Sequence, residues 1–166
     1  MQKPLVGIVM GSDSDLPVME EAKKLLEHLE IAYELTISSA HRAPDRTIKY
    51  AKSAIEKGLE VIIVGAGSAA HLAGIIAAHT SIPVIGVPID SSCLKGIDAL
   101  LSTVQMPGGI PVATMAIGKA GAKNAAVFAA QILGVRYHKI REKLIIFKKE
   151  LALQVEEKAR RLENLS

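Results

Sequence analysis

The sequence predicts an α/β protein: a flavodoxin-like three-layer α/β/α fold with a five-stranded parallel sheet and a long C-terminal helix. Short apolar runs alternate five times with helical patterns over the first 134 residues. Each strand-to-helix repeat needs a crossover, and right-handed crossovers lay the helices on both faces of one sheet. Hydrophobic residues make up 49% of the chain but aromatics only 3%, with no Trp, so Ala, Val, Ile and Leu must build the core, as suits strands buried on both faces. A chain of 166 residues is the usual size of one compact domain. Residues 1–166 are therefore expected to form a single α/β domain, with 135–166 as a helical extension.

The first unit is a strand over 5–10 and a helix over 16–29, with Pro17 tolerated in its first turn. The second is a strand over 33–38 and a helix over 44–57, which Pro44 opens. A strand over 61–64 and a helix over 69–79 follow, then a strand over 84–87 with a helix over 96–104. The fifth strand is expected over 112–117 and its helix over 120–133. Beyond Leu133 a charged helix carries Leu144, Phe147, Leu151, Val155 and Leu162 on one stripe. That stripe can pack on its own domain or dock on a neighbouring subunit, since a sheet covered on both faces leaves little room.

The net charge of +3 lies in the tail: nine Lys or Arg stand against five Glu over 136–166, leaving the preceding 135 residues at −1. The tail lacks the aromatic interleaving that stacks single-stranded bases, so no nucleic-acid partner is expected. Residues 61–89 contain no Asp, Glu, Lys or Arg, but Gly65, Gly67, Gly74, Pro83 and Pro88 interrupt them, so no membrane span is expected either. The lone Cys93 has no partner for an internal disulfide, and the apolar run after Pro4 is too short for a signal peptide. A cytoplasmic protein is expected.

In a parallel sheet of this kind ligands bind beyond the carboxyl ends of the strands, where strand order reverses. The loops after the first three strands are therefore the candidate site. The first, Gly11-Ser12-Asp13-Ser14-Asp15, offers hydroxyls and amides at a helix entry, with Asp15 placed for sugar hydroxyls; helix capping is the alternative. The second, Ser38-Ser39-Ala40-His41-Arg42-Ala43-Pro44, sets an imidazole beside a guanidinium fork suited to phosphate. Of the five histidines, His41 is the catalytic candidate. His28, His79 and His138 fall in helical or tail patterns and read as structural. The third loop, from Gly65 and Gly67 through His71 to Gly74, exposes backbone amides on an apolar wall. His71 there is either a ligand contact or a buried structural histidine. The Gly- and Pro-rich stretch over 102–111, with Met106, is expected to close over a site. No Walker A sequence, nucleophile elbow or metal-spaced cluster of His, Cys and carboxylates is present, so neither metal nor nucleophilic serine is indicated.

Together these loops resemble those of the PurE family of purine biosynthesis. The resemblance covers residues 5–134 and rests on Gly11-Ser-Asp-Ser-Asp15, Ser39-Ala-His-Arg42, Gly65-Ala-Gly67, Ala69-Ala-His-Leu72, Gln105-Met-Pro107, Pro111-Val-Ala-Thr114 and Ala116-Ile-Gly-Lys-Ala-Gly-Ala122. The resemblance implies conversion of N5-carboxyaminoimidazole ribonucleotide to 4-carboxyaminoimidazole ribonucleotide by a homo-octamer without a cofactor. It implies ribonucleotide contacts from Ser12, Asp15, Ser39 and Arg42, with Gly67 and His71 beside them, and acid–base chemistry at His41. The chain departs from the family's usual pattern at Ala43, Ser68 and Ala73. A related branch carboxylates aminoimidazole ribonucleotide directly with carbon dioxide and carries Lys where this chain has Arg42. Binding modules of the same fold fit less well: a receiver domain needs more carboxylates at the strand ends, and a flavin site needs aromatic rings there.

Overall fold

The strand Val6–Met10 is buried along its whole length, as a strand must be when helices cover both faces of its sheet. The computed structural model describes residues 3–164. In chain order they form β1 (Val6–Met10), α1 (Leu16–His28), β2 (Tyr33–Ile37), α2 (Pro44–Lys57), β3 (Val61–Gly67), α3 (Leu72–Ala78), β4 (Val84–Ile89), α4 (Ile97–Val104), β5 (Ala113–Thr114), α5 (Lys119–Gly134) and α6 (His138–Glu163), with a single 3₁₀ turn at Asp13–Asp15. The strand order is β2-β1-β3-β4-β5 and every pair is parallel, the flavodoxin-like order expected. The chain moves one way from β1 to β2 and the other way from β1 to β3, so the crevice opens at the carboxyl ends of these strands.

Alternation along the strands sorts the core into two layers. Val6, Ile8 and Met10 of β1 and Val61 and Ile63 of β3 pack against α1 and α5. Val9, Ile62 and Val64 point the other way, against α2, α3 and α4. Ala122, Ala125, Ala126, Ala129 and Ala130 of α5 are all fully buried. Their three- and four-residue spacing makes one stripe of methyl groups.

The second corner is held at both ends. Ser38 and Thr47 are buried and share a hydrogen bond of 2.8 Å between hydroxyls. Arg46 donates from Nε to the Ile37 carbonyl at 3.0 Å and from its other nitrogen to Thr36 Oγ1 at 3.2 Å. The intervening loop, which carries Ser39, His41 and Arg42, is thereby fixed between β2 and α2.

Several boundaries differ from expectation for physical reasons. β3 runs on to Gly67 and β4 to Ile89, because Ala66 pairs with Pro88 and Gly67 with Ile89. Pro88 is tolerated because β5 pairs only with Ile85 and Gly86 on that side, so the missing donor breaks no ladder bond. β5 is two residues long instead of the six expected over 112–117. α3 starts at Leu72, since Ser68 takes a left-handed backbone and His71 N–H turns back to the Ala69 carbonyl. The apolar stripe of α6 divides. Leu144 and Phe147 are buried against their own sheet layer, with Ile140, while Leu151, Val155 and Leu162 are exposed. Among the described residues no helix is long and apolar enough to cross a membrane.

Candidate active site

At the carboxyl ends of the strands a cleft of about 360 Å³ is lined by all seven predicted site residues: Ser12, Asp15, Ser39, His41, Arg42, Gly67 and His71. Its volume is in the range of small-ligand pockets. The first corner enters as a capping box. Ser12 N–H donates to Asp15 Oδ2 at 3.0 Å while Ser12 Oγ accepts from Ser14 N–H at 3.3 Å, the reciprocal pattern that satisfies amides at the start of a helix. Capping and ligand binding were alternatives in the sequence; here the same residues cap the turn and line the cleft.

The two carboxylates of this corner differ in environment. Asp13 is exposed, and hydrogen bonds from the Ser12 hydroxyl and then the Ser14 amide hold its carboxyl below the ordinary value. Asp15 is only 4% exposed, and burial raises its carboxyl above 3.8 despite the Ser12 and Gly11 amides. The sign of its effect on stability follows. As pH rises above 3.8 the unfolded chain releases this proton before the folded one, so Asp15 makes stability fall with rising pH across that window. Asp15→Asn should therefore gain on the wild type in urea-unfolding midpoint as pH is raised from 3.8. A difference that stays flat over that range, or narrows, would contradict this account of the carboxyl.

The second and third corners meet through their histidines. His41 Nε2 and His71 Nδ1 lie 2.8 Å apart, with the rings edge-to-face at 80° and centroids 4.9 Å apart. One ring nitrogen donates and the other accepts, so the contact fixes the tautomer of each ring relative to its partner. Both side chains are exposed to the cleft; His71 is thus not the buried structural histidine allowed by the sequence. Arg42 folds over Ser39, its backbone N–H donating to Ser39 Oγ at 3.2 Å and its Nε at 3.5 Å. Among the described residues its terminal guanidinium nitrogens make no hydrogen bond. An imidazole able to give and take a proton, a guanidinium and several hydroxyls thus share one cavity.

His79 donates from Nδ1 to the Ile75 carbonyl, and His28 and His138 pair with Glu150 and Glu142. These three stand outside the cleft, as expected. The stretch over 102–111 does not line it either. Met106 instead packs on α3, where Gly74 has no side chain, so the loop expected to close over a site is held against the neighbouring helix.

A fourth corner contributes what the sequence reading missed. Ser91, from the loop after β4, lines the cleft, together with Ser14 and Ser68. Ser91 Oγ lies 1.8 Å from where a Cβ on Gly67 would sit, so the bare Cα of Gly67 is what admits it. The signal was available: Asp90-Ser91-Ser92, a polar run directly after an apolar one, obeys the same strand-end rule as the other three corners.

The family model described as AIR carboxylase matches residues 5–154. A relative from Pyrococcus horikoshii, named N5-carboxyaminoimidazole ribonucleotide mutase, is 62% identical over 99% of this chain and 92% of its own. One of the same name from Thermotoga maritima is 57% identical over 98% of this chain and 94% of its own. Phosphoribosylaminoimidazole carboxylase of Candida glabrata is 50% identical over 99% of this chain, which covers 29% of that longer protein. The crystal structure of Treponema denticola PurE superposes with a TM-score of 0.85 at 28% identity, covering 96% of this chain and 98% of that one. Matched by the family model and, almost end to end, by relatives sharing more than half its residues, the chain belongs to the AIR carboxylase family.

Proposed function

We propose that the chain is an isomerase of purine biosynthesis that converts N5-carboxyaminoimidazole ribonucleotide to 4-carboxyaminoimidazole ribonucleotide. The observation that carries this is the His41–His71 pair, bonded at 2.8 Å in the same cleft as Arg42 and Ser39. Ser12, Ser39 and Arg42 hold the phosphate, and Asp15 accepts from the ribose hydroxyls. His41 donates its proton to the exocyclic nitrogen as the carbamate C–N bond breaks and carbon dioxide leaves. The electron-rich ring then attacks the trapped carbon dioxide through carbon four. His41 takes the proton from that carbon, which restores aromaticity and returns the imidazole to its starting state. One residue serves as acid and then as base.

Gly67 and the alanines beside it suit the middle step, because carbon dioxide escapes or is hydrated in a wet site and is recaptured when held at high effective concentration. We further propose that the chain works in the cytoplasm as a homo-octamer, a single α/β domain with residues 135–166 as its helical extension. The exposed half of α6, with Leu153, Val155 and Leu162 each more than 60% accessible, supports burial of that extension against other copies.

Two parallel assays test the activity, one with the carbamate nucleotide and one with aminoimidazole ribonucleotide plus bicarbonate. Fast turnover of the first is expected. Fast turnover only in the second would make the chain a direct carboxylase, the activity for which the Candida glabrata relative is named.

A further inference from the structure

Ser68 breaks a backbone rule at the mouth of the cleft. Its φ is +52°, in the left-handed region where any side chain crowds the following carbonyl. Glu30 and Lys95 share that region. Glu30, however, follows the end of α1, where left-handed backbone is common, and neither residue lines the cleft. Ser68 does. Glycine would make the same turn without strain, so what serine adds at this position is a hydroxyl.

That hydroxyl has a counterpart in Ser91, which reaches the cleft over the bare Cα of Gly67. The two Oγ atoms are 3.4 Å apart, longer than the ~2.7–2.8 Å of a good hydroxyl–hydroxyl bond. Both side chains are exposed, and among the described residues neither hydroxyl has another partner. Two uncommitted donors, fixed side by side by two different strand ends, match the paired oxygens of a carboxylate. The sheet order places β2, which leads to Arg42, three strand spacings from β4, which leads to Ser91. At about 4.8 Å per spacing this separates the two strand ends by roughly 14 Å, suited to opposite ends of a nucleotide.

We propose that Ser68 and Ser91 form a hydroxyl pair that binds the carboxylate of the nucleotide, distinguishing carboxylated from uncarboxylated ligand. This rests on the carboxyl-transfer reading above. The backbone strain at Ser68 is the cost of placing that donor, so the two effects separate in one variant.

The test uses the full chain with Ser68→Gly and Ser91→Ala. Ser68→Gly should raise Tm while lowering kcat/KM for the carbamate nucleotide about tenfold, chiefly through KM, the size expected for losing one hydrogen bond to a charged group. Ser91→Ala should show a similar loss without the rise in Tm. Affinity for aminoimidazole ribonucleotide, which has no carboxylate, should stay at the wild-type value in both. Wild-type kcat/KM in both variants, or an equal loss of affinity for the two nucleotides, overturns the pair while leaving the reaction standing. A wild-type protein inert toward the carbamate nucleotide overturns the reaction and the pair together.

Discussion

His41→Asn should abolish turnover of the carbamate nucleotide while leaving nucleotide affinity close to that of the wild type. Proton transfer by a positioned side chain contributes about 10²–10⁴-fold. Here one imidazole serves two steps in succession, protonation of the leaving nitrogen and removal of the ring proton, so the loss should reach the upper end, about 10⁴-fold in kcat. Asn keeps a polar amide facing His71 but cannot exchange a proton near neutral pH. Arg42 and Ser39 are bonded to each other and not to the imidazole, so the proposed phosphate contacts survive the substitution. Single-turnover rates and calorimetric titration with the product nucleotide separate the two effects. A variant within tenfold of the wild-type rate would remove His41 from the chemistry, and a parallel collapse in affinity would recast it as a binding residue.

The sequence exposed this site because its chemistry sits directly after apolar strands, where periodicity is easiest to read. His41 and Arg42 follow β2 with only Ser38, Ser39 and Ala40 between, and the hydroxyls of the first corner follow β1 with only Gly11 between. The third and fourth corners were harder. Gly65, Ala66 and Gly67 have poor strand propensity, yet they form the last rungs of β3 against Val87, Pro88 and Ile89. They are small because neighbours occupy the space: the Met19 side chain lies against Gly65 and the Ser91 side chain against Gly67. Tertiary packing overrode local propensity there. The reversal of strand order points to the corners after the first three strands, which left out Ser91 after β4. The pairing of His41 with His71, 30 residues apart, needs the sheet order as well as the motifs. The divided stripe of α6 has the same cause. Helical spacing identifies an apolar face but not how much of it the sheet layer can cover, and cover here ends beyond Phe147.

Gly121→Ala should be among the most damaging substitutions to the fold, although it replaces glycine by alanine inside a helix. Propensity alone favours alanine by about 0.8–1.0 kcal/mol. Gly121 is buried in the first turn of α5, however, and a Cβ there would fall 1.6 Å from the carbonyl oxygen of Ala116 and 2.6 Å from its carbon. The obstacle is backbone and cannot rotate aside, so either α5 tilts away from α1 or the segment after β5 shifts. Either movement opens the alanine-lined contact that fills one layer of the core. A net loss of about 3 kcal/mol is expected, the upper end of the usual cost of overpacking, and the melting temperature should fall by roughly 6–12 °C for a chain of this size. Gly134→Ala, near the other end of the same helix, is the control. Its nearest contact is the Arg141 Cα at 3.5 Å, an ordinary packing distance, so propensity should prevail and stability should hold or rise by up to about 1 kcal/mol. If Gly121→Ala melted with the wild type, α5 would have room at its first turn that this packing denies it, and the close crossing of Ala116 over the helix could not be what seats α5 on the sheet.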